Sequence, residues 1–184
     1  MADEDRPADE GWLLLIYRIP PEPTRLRSAV WRRLKSLGAI YLQNSAAALP
    51  AGLGAERALR KLRSEILDMG GTAALLSCAV LAGAQDVHAA FQAARDDEYE
   101  EIVDRCEDFL AQVKKEHVAG HYTYAELEEN EVDLDKLQKW FDRVRQRDVF
   151  GAGGRQAAEK ALAVCAESLE EYAARVYAQE ADGH

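Results

Sequence analysis

Arg25, Arg32 and Lys35 are separated by seven and three residues, a spacing that puts the three cations on one face of a helix. Arg33 and Arg18 stand close by, while Leu26, Val30 and Leu34 take the opposite side. Guanidinium planes bind phosphate and related oxyanions through paired hydrogen bonds, so this face suits an anion or a DNA backbone, and an ordinary solvated helix face would look the same. Trp31 adjoins it and could stack on a nucleobase, as aromatics among arginines do in single-strand binders, or pack over a sheet edge or against later helices. Gln43, Asn44 and Ser45 interrupt an apolar run with three polar residues, which marks a functional or paired edge, or a bulge open to solvent.

A second basic group, Arg143, Arg145 and Arg147, precedes Asp148 and Phe150 at a helix end, where cations also offset the helix dipole. The Gly151 to Gly154 turn that follows opens a helix whose free N–H groups could hold an anion, but it lacks the Lys and Ser/Thr of a phosphate loop. The residues assigned to nucleic-acid or anion binding are therefore Arg18, Arg25, Arg32, Arg33, Lys35, Gln43, Asn44, Arg143, Arg145 and Arg147. His117 and His121 have the i, i+4 spacing of a helical metal pair, yet Gly120 between them favours a helix end with His117 as its cap. His88 could ligate a haem or metal in the same way, and otherwise reads as a solvated residue of a first helical turn. No metal, cofactor or catalytic residue is assigned, because no Ser-His-Asp or Cys-His order is present and no Cys has basic surroundings. Cys78, Cys106 and Cys165 read as reduced structural thiols.

The chain of 184 residues is 48% hydrophobic and 30% charged, which excludes a disordered chain or a membrane span. Its formal charge of −10 argues against a nucleic-acid binder taken whole, but the charge is unevenly placed. Residues 1–10 carry −4, residues 11–84 carry +6 from ten cations and four acids, and residues 85–184 carry −12. The sign reverses near Gly83, and the opposed halves would also allow head-to-tail association of an interaction module. The opening MADEDRPADE has neither a basic nor an apolar leader segment, so a disordered acidic tail over 1–10 and a cytoplasmic protein are expected.

The elements that must position these residues follow from periodicity. Trp12–Ile19 is continuously apolar up to Pro20-Pro21 and reads as a buried strand. Thr24 caps a helix that Gly38 stops; Ile40–Leu49 reads as one Ala-rich strand; Leu59, Leu62, Ile66 and Met69 mark a second helix; Thr72–Leu81 is a third strand. The expected fold is α+β, a ferredoxin-like β-α-β-α-β core over 11–84 whose missing fourth strand comes from a partner chain or the extension. Residues 85–180 read as a packed extension of about three helices: one from Asp86 to about Glu116, one capped by Asp133, and one carrying Ala158, Leu162, Cys165, Leu169, Tyr172 and Val176.

The stretch WLLLIYRIPPEPTRLRSAVWRRLKSLGAIYLQNSAAALP resembles the N-terminal domain of the chromate-resistance protein ChrB. The likeness continues through the Gly70-Gly71 turn, Ala94-Arg95-Asp96 with Tyr99, and Arg147-Asp148 with Phe150-Gly151, to about Tyr172. More distantly the core resembles the middle domain of phenylacetate-degradation repressors and the ferredoxin-like nucleases of CRISPR spacer acquisition. Those nucleases place a metal-binding Asp at the end of the first strand. Here Tyr17-Arg18-Ile19-Pro20 offers no acid before Glu22, and two-metal hydrolysis needs convergent carboxylates, so nuclease activity is not carried over. The resemblance to ChrB implies a cytoplasmic, homodimeric transcriptional regulator that binds operator DNA and responds to chromate or another oxyanion. The alternative is a small cofactor-dependent enzyme built on a stand-alone copy of the domain.

Overall fold

A strand that is apolar at nearly every position suits the middle of a sheet, and the run at Trp12 takes that place, with Trp12, Leu13 and Leu15 buried and Ile16 left exposed. In the computed structural model, which describes residues 11–182, the first six elements are β1 (Trp12–Arg18), α1 (Thr24–Leu37), β2 (Ile40–Gln43), β3 (Ala46–Pro50), α2 (Leu53–Asp68) and β4 (Thr72–Cys78). The helices α3 (Ala84–Ala119), α4 (Tyr124–Arg147) and α5 (Arg155–Asp182) follow. The four strands form one antiparallel sheet in the order β2-β3-β1-β4. The tail expected over residues 1–10 lies outside the described residues. Among the described residues no helix is long and apolar enough to cross a membrane.

The expected single strand over Ile40–Leu49 is two strands joined by a tight turn, and this corrects the element order to β-α-β-β-α-β. The polar trio Gln43, Asn44 and Ser45 is the cause: Ser45 takes φ 65° in the left-handed region, and the chain reverses there. The fourth strand is thus supplied by the chain itself, with no need of a partner or the extension. A register shift between Tyr41 and Gln43 accompanies the turn.

The chain divides into two compact units, residues 1–94 and 95–184, so the division falls inside α3, beyond the charge reversal near Gly83. In the first unit Leu13, Leu15, Ala47 and Leu49 are buried on the sheet, with Val30 and Leu34 of α1 and Leu59, Leu62 and Ile66 of α2. Trp12, one residue out of step with Leu13, faces the other way and meets the rings of His88 and Phe91 at 5.7 and 6.0 Å. His88, considered as a ligand, is therefore an edge-on aromatic neighbour of Trp12.

The edge strand β4 has no charged residue of its own. Tyr17 gives its N–H to Ser45 on the β3 side, so its partner Ala73 directs its carbonyl off the outer edge of β4. Arg63 of α2 reaches that carbonyl with Nε at 3.1 Å.

The second unit holds one apolar cluster drawn from all three helices. It contains Tyr99, Ile102, Cys106, Phe109 and Val113, then Phe141 and Val144, then the α5 stripe from Ala158 to Val176, as the 3.6-residue period requires. Two boundaries differ from expectation. The first long helix begins at Ala84, and α4 begins at Tyr124, where the Thr123 hydroxyl accepts from the Glu126 N–H at 3.3 Å. Asp133, expected as the cap, sits inside α4 and pairs with Lys136, because the apolar stripe continues upstream to Leu127. At the other end of the first unit, α1 starts at Thr24 without a side-chain cap, and Pro23 holds the cap position.

Gly71 is fixed by close approach. A Cβ there would stand 2.5 Å from the Arg18 carbonyl and 2.9 Å from Ile66 Cγ2, so β4 can enter beside β1 and α2 only without a side chain. Gly71→Ala is expected to lower unfolding free energy by about 2–3 kcal/mol in denaturant melts, against little change for Gly54→Ala, which meets nothing within 4 Å.

Candidate nucleic-acid and anion interface

Helix α1 buries Val30 and Leu34 and turns Arg25, Arg32 and Lys35 to solvent, as their spacing requires. Arg33 is also exposed, but it lies on the other flank of the helix from Trp31. Among the described residues the first unit has one ion pair, Arg60 with Glu56. Arg18, Arg25, Arg32 and Arg33 therefore meet no carboxylate there, and Lys35 places Nζ 5.5 Å from the centre of the Trp31 ring. Trp31 is 51% exposed, so half of its surface is left to solvent.

Beside this helix lies a groove of about 540 Å³. The end of β1 supplies Tyr17, Arg18 and Ile19; α1 supplies Arg27 and Trp31, one turn apart; β2 and the turn supply Tyr41, Asn44 and Ser45. Tyr17 and Tyr41 join their hydroxyls at 3.0 Å, and burial together with this bond pushes the Tyr41 phenol above its ordinary range. Arg27 is oriented by an Nη2 bond of 3.1 Å to the Pro21 carbonyl. Of the residues assigned from sequence, Arg18 and Asn44 are thus brought together in the groove, Arg25, Arg32 and Lys35 do not line it, and the exposed Gln43 ends β2 next to the turn. The sequence reading passed over Arg27, Tyr17 and Tyr41. Arg27 could have been found from its i, i+4 relation to Trp31; the tyrosines depend on strand register and could not.

The second basic group behaves differently. Arg147 turns inward and pairs with Glu98 at 2.6 Å, and Arg95 lies 2.8 Å from the other oxygen of that carboxylate. Arg145 pairs with Asp142 at 2.9 Å and lies over the Phe141 ring, and Arg143 is exposed. The N–H groups of the glycine turn already face anions of the chain: Gly154 donates to Asp96 Oδ1 at 2.7 Å and Ala152 to Asp148 Oδ1 at 2.9 Å. Tyr99 donates to the same Asp148 at 3.1 Å. The turn that free N–H groups would make an anion site is thus occupied from within.

His117, expected as the cap, lies inside the last turn of α3, which runs on to Ala119; its Nδ1 bonds Tyr122 Oη at 3.0 Å and its ring packs edge-on against Tyr172. His121 lies beyond Gly120, outside the helix, 3.9 Å from Glu126. Among the described residues no group of three His, Cys, Asp or Glu side chains could hold a metal. Cys106 and Cys165 are buried together in the second unit, where Cys165 Sγ lies 3.5 Å from the Cys106 carbonyl, and Cys78 is half-buried.

Residues 27–183 match the family described as Protein ChrB, N-terminal. The chain belongs to that family. The ChrB N-terminal match takes in α1 from Arg27 onward, the turn at Asn44 and the Glu98–Arg147 cluster; Arg18 and Arg25 precede it. No match to the chain was found among curated proteins or among solved structures.

Two stability measurements separate the structural cations and phenols from the surface. Arg147→Ala strips one partner from the largely covered Glu98 carboxylate and is expected to cost about 1–3 kcal/mol in denaturant melts, whereas Arg143→Ala stays within about 0.5 kcal/mol. Burial, with the Glu116 and Glu126 carboxylates nearby, pushes the Tyr172 phenol up to about 12. An unfolded phenol ionises near 10, so above that pH the unfolded state has released a proton that the folded state keeps, and stability falls as pH rises toward 12. Thermal melts across this alkaline window should show a shallower fall for Tyr172→Phe than for the unaltered protein.

Proposed function

We propose that the chain is a chromate-resistance regulator of the ChrB type, a cytoplasmic homodimer that binds operator DNA through its first unit and responds to an oxyanion such as chromate. The connectivity β-α-β-β-α-β with sheet order β2-β3-β1-β4 supports reading that unit as ferredoxin-like. One observation carries the DNA reading: the cations of α1 and β1 stand exposed with no carboxylate partner among the described residues, while the second unit joins seven of its cations to carboxylates. In a chain with ten more acids than bases, such a bare basic surface favours a polyanion. Arg25, Arg32 and Lys35 contact phosphates from the helix face, Arg33 and Arg18 flank them, and Gln43 and Asn44 extend the surface at the turn.

The reading is tested by titrating the purified chain with duplex DNA from upstream of its own gene, with and without chromate, at several salt concentrations. Binding is expected to weaken as salt rises, and Arg32→Ala combined with Lys35→Ala is expected to weaken it for all sequences alike and to reduce the log–log salt slope by about 2. Chromate is expected to release the complex. A double variant that binds as tightly as the parent, or a complex indifferent to chromate, overturns the corresponding half of the proposal.

A further inference from the structure

The groove beside α1 has features that a duplex backbone does not call for. Phosphates on a rigid double helix need exposed cations, which the outer face of α1 supplies; they have no use for a recess lined by Tyr17, Tyr41 and Trp31. A small inorganic oxyanion has no use for it either, since a space of about 540 Å³ falls in the range of sites for organic ligands. A ligand matched to all of the lining has a flat apolar body, an edge with hydrogen-bonding groups, and an anion.

We infer that this groove binds one unpaired nucleotide, its base against Trp31 and its phosphate between Arg18 and Arg27. Trp31 is half exposed, and the Lys35 ammonium 5.5 Å from the ring centre holds the indole by a cation–π contact. Arg27 is held by the Pro21 carbonyl, so its guanidinium is oriented in advance, and Arg18 has no carboxylate to compete with a phosphate among the described residues. Asn44 and Ser45 stand on the hairpin turn at the mouth, offering an amide and a hydroxyl that donate and accept as a base edge requires. The nucleotide is either part of a single strand, opened or overhanging, or a free nucleoside monophosphate. The inference rests on the DNA reading of the same surface and adds to it a second kind of contact, stacking, which the α1 cations alone do not make.

The full chain and its Trp31→Ala and Trp31→Phe variants are titrated by anisotropy with labelled oligothymidylate and, separately, with labelled duplex. Single-strand affinity is expected to drop roughly 10-fold or more in Trp31→Ala and to be mostly kept in Trp31→Phe, with duplex affinity unchanged in both. In the unaltered chain, oligothymidylate should quench the share of the emission that is lost in Trp31→Phe, leaving that of Trp12 and Trp140. Equal single-strand affinity in Trp31→Ala overturns the groove assignment and leaves the duplex reading standing. Loss of single-strand and duplex affinity in equal measure overturns it too, because Trp31 would then act through α1. An unaltered chain that binds the single strand but no duplex overturns the operator reading and keeps the groove. Competition by thymidine monophosphate at millimolar concentration assigns the site to a free nucleotide; oligothymidylate binding that the monophosphate does not disturb assigns it to a strand.

Discussion

Backbone pairing along both edges of β1 sets the geometry of the first unit. Across its two faces β1 buries Leu13 and Leu15 on one side and Trp12 on the other, while Ile16, on the Trp12 side, stays exposed. Its two antiparallel neighbours both follow it in the sequence, β3 from the hairpin and β4 from beyond α2. Because the pairing with β3 ends where the turn folds back on Tyr17, the last residues of β1 emerge beside the turn and under α1. The recess with its two tyrosines and two arginines exists because of that register. Shifting β3 by one residue would move Tyr41 to the other face of the sheet and dissolve it.

What could be read from the residues alone was whatever depends on near neighbours. The α1 face was legible because a helix repeats every 3.6 residues, and the three stripes of the second unit were legible for the same reason. The hairpin was not, since Ala46 to Ala48 carry little strand propensity and the polar trio before them looks the same as a bulge until the backbone reverses at Ser45. Arg147 shows the limit most clearly. Its neighbours Arg143 and Arg145 suggest a basic patch, but its partner Glu98 is 49 positions away, and nothing local announces a contact of that range. The glycine turn misled in the same manner: its N–H groups are free in sequence and bonded to Asp96 and Asp148 in space.

The two units use charge for different purposes. In the second, seven of the cations are joined to carboxylates, both at the surface along helix turns and at Glu98, so that these charges serve cohesion. In the first, over residues 11–84, cations outnumber acids by ten to four, and nearly all are left facing water. Like charges crowded on one helix repel, and the cost is tolerable because solvent screens exposed groups within about 8–10 Å. A surface built in this way gains most when a polyanion replaces the solvent.

The Arg63 guanidinium that reaches the Ala73 carbonyl has a bearing on solubility. An edge strand of seven uncharged residues is a template for further strands, and a chain with such an edge risks growing into sheets shared with its copies. Here α2 lends the edge a cation that the strand itself lacks, filling an outward acceptor and bringing a charge that an incoming strand would have to displace. The sheet is kept to four strands by a side chain from a different element, so protection against aggregation lasts only as long as α2 stays docked.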